Sequence, residues 1–278
     1  ISIAKENKNL PLEVWSEMNY VEYLYFYRDM NNLIPHLLYA LEKAKKIDEK
    51  HLLEPCKMYK LAGWIFQTIG EIEDSTKYLN LALAITHDDI KEKASILNAL
   101  GANYFKEDNF KLAEAYYNQT LKYSLEANDT IRYAKAIGSI AEIEKKRGNY
   151  TKAISLVKED IRYSIQYNQV QNTIYAYKLL AKLYLLNNNK KEAKKILDKA
   201  EKIAATKPYF NSFEYDITEL KLKLIEGDNL NNEELALRRK LANLAEIIEK
   251  TDGKAALKRI NWQVQKSKYE SEISKSSL

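Results

Sequence analysis

The sequence predicts an all-α fold made of repeated helix pairs. The 278 residues include only seven glycines and four prolines, which leaves few residues suited to turns. Leu, Ala, Lys, Glu, Ile and Tyr dominate, and this composition favours helix. A pattern of small and large residues also recurs about every 40 residues, as expected of a chain that uses one structural unit several times.

The recurring pattern places a small residue in each unit and an alanine twelve positions later. Aligned in one frame, the units begin near Cys56, Ala94, Ala134 and Ile174, which are 38, 40 and 40 residues apart. Each unit predicts two amphipathic helices, A and B, that approach closely at the small residue, with large residues one turn away filling the remaining space. The small residues are Gly63, Gly101, Ala141 and Ala181, and the facing alanines are Ala113, Ala153 and Ala193. Polar turns at 106–109, 147–149 and 187–189 predict the end of helix A.

This pattern resembles the tetratricopeptide repeat family, in which small and large residues recur at fixed positions of a 34-residue helix pair. The resemblance covers about residues 17 to 250 and implies a right-handed superhelical solenoid of about six helix pairs. The units here are four to six residues longer, and we expect the extra residues in helix B or in the connector. The tryptophan often found near the start of helix A is absent from the three best units, but the small-residue pattern recurs four times in register.

The two ends of the chain predict atypical units, because a terminal repeat exposes one face to water. A first pair is predicted over 17–47, a sixth over 211–226 and 232–250, and a capping helix over 254–274. The predicted domains are an N-terminal extension over residues 1–16, a repeat array over residues 17–250 with units near 17, 56, 94, 134, 174 and 211, and a C-terminal helix over residues 251–278 that would link to an output region.

Catalytic constellations are missing from the sequence, so an enzyme is the least favoured class. The histidines His36, His51 and His87 have no metal-binding spacing, and His87 lies in a connector that we interpret as a solvated turn. The single cysteine, Cys56, excludes an intramolecular disulfide and a multi-cysteine metal site. We therefore predict no catalytic residue, no metal and no cofactor.

The family resemblance also implies a ligand surface. In these repeats helix A lines a concave groove, mainly at the second, fifth, ninth, twelfth and thirteenth positions of each unit. Those positions give a basic surface with interleaved aromatic residues here, which suits an acidic peptide or a carboxylate terminus. The alternative is that lysines are common in this chain and collect on any solvated face. The candidate groove residues are Lys57, Lys60, Trp64, Asn98, Phe105, Lys135, Tyr175, Lys178 and Lys182.

A second resemblance concerns residues 265–272. This segment is similar to the helical stretch that ends the repeat region in many Bacteroidetes sensor proteins, where a transmembrane helix and then a histidine kinase or helix-turn-helix output domain follow. An ordinary capping helix is the alternative. The chain opens with Ile1, which we interpret as a trimmed chain or one that has lost a signal peptide. The leading hypothesis is the sensory or interaction region of a larger bacterial signalling or transcription-regulating protein, and the alternative is a free-standing cytosolic adaptor that assembles complexes.

These hypotheses make definite predictions about partners and location. We expect a protein or peptide ligand, acidic in character, and a homodimer through the C-terminal helix. The 44 basic and 39 acidic side chains are mixed along the chain, so we expect no specific nucleic-acid binding. No apolar run approaches 18 residues, so we expect no membrane span within these residues. The sensor hypothesis places this region on the periplasmic side of an inner-membrane protein, and the adaptor hypothesis places it in the cytoplasm.

Overall fold

The computed structural model describes residues 1–27, 29–86, 88–206, 211–225 and 232–251. Every regular element over these residues is helical, which confirms the predicted all-α class. The chain divides into two compact units: the described residues of the first end at Asp89, and those of the second begin at Ile90.

The first unit holds two helix pairs. Its elements are α1 (Ser2–Glu6), α2 (Leu10–Phe26), α3 (Met30–Ala44), a single 3-10 turn (Glu49–His51), α4 (Pro55–Ile69) and α5 (Ile72–Ile85). Helix α2 packs on α3, α4 packs on α5, and α2 also contacts α4. Their apolar side chains form one core, in which Val21, Leu37 and Ile65 are fully buried.

The first pair starts earlier than the sequence predicts. Helix α2 begins at Leu10 rather than near Glu17 because Asn9 caps it: the Asn9 Oδ1 accepts a hydrogen bond from the backbone N–H of Leu12 at 3.1 Å. Pro11 lies in the first turn, where an N–H has no partner within the helix and its loss is harmless. Most of the segment expected to precede the repeats is therefore helical.

The second unit holds four helix pairs. Its elements are α6 (Ile90–Lys106), α7 (Phe110–Glu126), α8 (Thr130–Lys146), α9 (Tyr150–Gln166), α10 (Val170–Leu186), α11 (Lys190–Ala204), α12 (Asn211–Ile225) and α13 (Asn232–Thr251). Each even-numbered helix packs on the helix that follows it, and the second helix of each of the first three pairs contacts the pair after it. The first helices of successive pairs, α6, α8, α10 and α12, also contact one another, so their faces adjoin.

A three-residue turn closes every helix from α6 to α10 and sets the repeat length. The middle residue of each turn has a positive φ; these residues are Asp108, Asn128, Gly148, Asn168 and Asn188. The next backbone N–H donates to a carbonyl five residues earlier at 2.8–2.9 Å, as in a Schellman motif. Asn, Asp and Gly tolerate this left-handed conformation better than other residues. The predicted turns that end α6, α8 and α10 are therefore confirmed.

The 40-residue period is shared evenly between the two helices of a pair. Each helix from α6 to α10 has 17 residues, and each is followed by three turn residues. The expectation that the extra residues lie in helix B or in the connector is wrong, because both helices are equally long and both turns equally short.

The helices of a pair approach most closely at the small residues of helix A. A Cβ on Gly63 would lie 2.6 Å from Leu79 Cγ, and a Cβ on Gly101 would lie 2.7 Å from the Tyr117 ring. The close approach is confirmed, but its nearest partner is the large residue sixteen positions later. The predicted partner of Gly101, Ala113, is buried one turn earlier, where its short side chain leaves the contact to Tyr117.

The last described pair agrees with its prediction. Helices were expected over 211–226 and 232–250, and the structure has Asn211–Ile225 and Asn232–Thr251. The described residues thus hold six helix pairs, as predicted. The predicted capping helix over 254–274 and the homodimer through the C-terminal helix lie outside the described residues.

The close approach at Gly101 yields a test of the packing. Gly101→Ala would force the Tyr117 ring to move, and overpacking of this kind costs about 1–3 kcal/mol, although alanine is the better helix former. Urea unfolding of the single variant should show this loss of stability. In a Tyr117→Val background the same change should cost little, because it recreates the Ala141–Val157 combination of the next pair. Equal losses in both backgrounds would contradict the packing.

Candidate functional site

A concave pocket of about 620 Å³ lies within the second unit. It is bordered by α8, α9 and α10, by the turn between α9 and α10, and by one residue of α6. The lining residues are Asn98, Lys135, Gly138, Ser139, Glu142, Asp160, Asn168, Gln169, Val170, Gln171, Asn172, Tyr175, Ala176 and Leu179. A volume of this size can hold several residues of a peptide or a small molecule.

Helical spacing explains why α8 and α10 supply most of the lining. On α8, Lys135, Ser139 and Glu142 lie at positions i, i+4 and i+7, which share one face of a helix. On α10, Tyr175 and Leu179 are 40 residues after Lys135 and Ser139 and therefore occupy the same places one pair further on. The pocket is thus formed by equivalent faces of two consecutive A helices.

Asp160 of α9 is the buried acid of this pocket. Its side chain is only 3% exposed, and its Oδ1 accepts hydrogen bonds from Ser164 Oγ at 2.8 Å and from Asn172 Nδ2 at 2.7 Å. Gly138 makes the room for it, because a Cβ at that position would collide with Asp160 Oδ2. Burial raises the pKa of Asp160 to about 7, although the two hydrogen bonds and the nearby Lys135 oppose the shift.

Two further polar groups of the pocket have incomplete partners. Asn98 Oδ1 is buried and accepts no hydrogen bond from the described residues. Lys135 forms no ion pair with an acid in the described part of the chain, and partial burial of its ammonium group lowers its pKa. Buried polar atoms in folded proteins are nearly always hydrogen-bonded, so an exception within a pocket indicates a place for a ligand.

The structure brings together three of the nine predicted groove residues. Asn98, Lys135 and Tyr175 line the pocket. Lys178 is instead 6% exposed and pairs with Asp216, so its charge is neutralised within the protein.

The remaining predicted residues lie elsewhere. Phe105 packs against the core, with its ring 5.6 Å from that of Phe110. Lys182 is exposed on α10 and does not line the pocket. The other three belong to the first unit. There the Lys57 ammonium is 2.7 Å from a carboxylate oxygen of Glu22, and the Lys60 ammonium lies 4.8 Å from the Trp64 ring centre.

The predicted groove omits the central residue of the pocket because the family resemblance places ligand-binding residues on helix A alone. Asp160 lies on helix B, at the place where the neighbouring pairs have Thr120 and Ala200. All three positions are buried. An acid at a position that the repeat buries is unusual, and it could have been found by aligning the B helices. The glycine opposite, Gly138, replaces Asn98 and Lys178 of the adjacent pairs and gives a second signal.

The described residues contain neither a candidate metal site nor a candidate membrane span. No three His, Cys, Asp or Glu side chains among them are arranged to hold a metal ion. Within the same residues, no helix has both the length and the apolar character required to cross a bilayer.

Comparison with known proteins identifies the fold. No protein-family model matches the chain. The tetratricopeptide repeat protein 4 homolog of Dictyostelium discoideum is 29% identical over 122 residues, which are 43% of this chain and 29% of that protein. The apo form of RapI has a TM-score of 0.68 at 14% identity, over 95% of this chain and 99% of that one. The Rap conjugation gene regulator of plasmid pLS20, solved with the Phr* peptide, has a TM-score of 0.68 at 12% identity, over 90% of this chain and 66% of that one.

These similarities confirm the fold predicted from the sequence. The chain has the all-α helix-pair repeat of tetratricopeptide-type proteins. It spans less than a third of the relative that it matches in sequence, so the match concerns the repeats and not the whole of that protein.

The raised pKa of Asp160 predicts an unusual pH dependence of stability. The folded protein keeps the Asp160 proton to about pH 7, whereas the unfolded chain releases it near 3.8, so the free energy of unfolding falls between these values. For this residue the fall is roughly 4 kcal/mol. The free energy of unfolding of Asp160→Asn, taken relative to that of the wild type, should therefore rise by about that much between pH 4 and pH 8, as measured by urea unfolding. A difference that does not change with pH would refute the assignment.

Proposed function

We propose that this chain is a non-catalytic interaction module that binds a peptide or a protein segment in the pocket of its second unit. The observation that carries the proposal is the pocket itself, where equivalent faces of α8 and α10 present polar side chains with incomplete partners. Pockets that bury much of a ligand beside a few well-placed polar groups are typical binding sites.

The similar structures support a peptide as the ligand. A Rap regulator of the same fold has been solved with its Phr* peptide, so the fold accommodates peptides in at least one other protein. The pocket of the present chain offers amide, hydroxyl and charged groups, which can bond the N–H and C=O groups of a peptide.

In the structure, the charges of the candidate groove support an acidic ligand less strongly than the lysine-rich sequence suggests. Lys57 and Lys178 pair with Glu22 and Asp216, so both cations are already compensated within the protein. The pocket itself contains one lysine, Lys135, against the acids Glu142 and Asp160. The basic character expected from the sequence therefore does not extend to the pocket.

We further propose that the module is the sensory or interaction region of a larger bacterial signalling or transcription-regulating protein. Neighbouring pairs contact mainly one another, so a small change at each contact adds along a repeat array. A ligand between α8 and α10 would favour the arrangement of pairs that binds it best, which is a shift of populations and needs no chemical step. A free-standing cytosolic adaptor is the second candidate.

Binding in the pocket is tested with variants of its lining. The probe is a pool of N-acetylated, C-amidated octapeptides of random sequence, captured by the full chain and then titrated singly. Tyr175→Ala and Asn98→Ala should lower the affinity for the captured peptides about tenfold or more, which is the effect of removing one anchoring side chain.

Lys182→Ala is the matched control for these variants. Lys182 is also on α10 and was also predicted for the groove, but it lies outside the pocket. Its affinity for the captured peptides should equal that of the wild type. If it weakens binding as strongly as Tyr175→Ala, the ligand lies elsewhere on α10.

The two hypotheses predict different lengths and locations for the native polypeptide in the cells that make it. The signalling hypothesis predicts a native polypeptide longer than 278 residues in the membrane fraction, measured by intact mass and fractionation. The adaptor hypothesis predicts a polypeptide of about this length in the cytosol, and finding one there would exclude the sensor.

A further inference from the structure

We propose that the pocket of the second unit binds a cationic group of its ligand, a guanidinium or an ammonium, and that Asp160 is the residue that pairs with it. The proposal rests on the proposed function, because it specifies the chemistry of the ligand for the same pocket. It replaces the acidic ligand expected from the sequence with a basic one.

Two acceptor atoms of the pocket receive no hydrogen bond from the described residues. Asp160 Oδ1 takes both hydrogen bonds that the side chain accepts, whereas Oδ2, on the side of Gly138, accepts none from the described residues. Asn98 Oδ1 is a second such acceptor in the same lining. A guanidinium carries five N–H donors and no acceptor, and an ammonium carries three donors. Either group supplies donors to such atoms without introducing an unpaired acceptor.

The charged groups around Asp160 leave its carboxyl group without an ion pair in the described residues. From α8, Lys135 and Glu142 line the pocket, and Glu142 pairs with Lys145 of its own helix. Arg132 of α8 is bonded to Asp129 at 3.1 Å and is already compensated. The lining residues from α6 and α10 carry no formal charge at neutral pH. When Asp160 is ionised, the uncompensated charges of the lining are therefore its carboxylate and the Lys135 ammonium, which form no ion pair, and a ligand cation can pair with Asp160 directly.

The side of the pocket formed by α10 suits a planar cation. Tyr175 is 58% exposed, and its ring is held edge to face against that of Phe213, with centres 4.9 Å apart. The Lys178 ammonium lies 5.2 Å and 5.5 Å from the centres of these two rings and steadies them. Guanidinium groups stack on aromatic faces, so Tyr175 can cover a side chain that reaches toward Asp160.

The test compares matched peptide pools. Each pool contains N-acetylated, C-amidated octapeptides that are random at seven positions and carry Arg, citrulline, Lys, Gln or Glu at the fourth. Citrulline has the shape of arginine without its charge. The wild-type chain should bind the Arg or Lys pool at least tenfold more tightly than the citrulline and Gln pools.

Two substitutions of the same kind locate the effect. Asp160→Asn should remove the preference for Arg over citrulline, because the amide cannot become an anion. Asp108→Asn is the control, since Asp108 lies in the turn between α6 and α7, outside the pocket, and Asn188 occupies the same place in the turn between α10 and α11. It should keep the full preference. Urea unfolding at pH 8 confirms that both variants are folded.

The pH dependence provides a second readout. Burial raises the pKa of Asp160 to about 7, so its ionised fraction rises from about a tenth at pH 6 to about nine tenths at pH 8. Affinity for the Arg pool should rise by up to about tenfold over this range. Affinity for the citrulline pool should stay constant, and so should that of Asp160→Asn for either pool.

The outcomes separate this inference from the proposed function. Capture of no pool by the wild type would overturn the proposed function and the inference together. Equal binding of the Arg and citrulline pools would overturn the inference and leave peptide binding intact. Preference for the Glu pool would show that Lys135 directs recognition and would restore the acidic ligand. A preference for Arg that survives in Asp160→Asn would assign the cation to another residue.

Discussion

The close approach of the two helices in a pair is the constraint on which the rest of this structure depends. A helix pair closes tightly only where helix A has little or no side chain, as at Gly63 and Gly101, where any Cβ would meet Leu79 or Tyr117. Gly138 shows the same constraint at a different face of helix A. The space left there is occupied by Asp160, so one packing rule produces both the hydrophobic core and the polar pocket.

Two buried acids of one helix pair show how such a site differs from a structural polar group. Glu144 is 1% exposed; burial alone would raise its pKa, but hydrogen bonds from Asn149, Lys152 and Arg147 lower it below the usual value. Asp160 is almost as buried, yet its hydrogen-bond donors are uncharged, and its pKa rises to about 7. Charged donors therefore make Glu144 part of the scaffold, whereas Asp160 forms no ion pair within the described residues, and the proposed ligand would supply one.

This difference in ion pairing links the stability of the folded chain to the proposed ligand binding. An ionised Asp160 without an ion pair destabilises the folded state, and in the proposed complex a cationic ligand would restore that free energy on binding. The pocket lies between α8 and α10, which contact each other directly, so a group bound there acts on the junction of two repeats. A repeat array transmits changes at such junctions, because each pair is positioned chiefly by its neighbours.

Local sequence patterns establish the all-α class, the 40-residue period, the turns that end α6, α8 and α10, and the small residues at which helices meet. These features follow from local periodicity and turn chemistry, which a sequence displays directly. The tertiary structure alone shows which lysines form ion pairs and which acid lines the pocket. Lys178 meets Asp216 from another pair, and Asp160 enters the pocket because Gly138 of a different helix leaves room. Contacts between residues distant in sequence fix both facts. Aligned repeats mark Asp160 and Gly138 as departures from the pattern, but they do not show that the two residues meet.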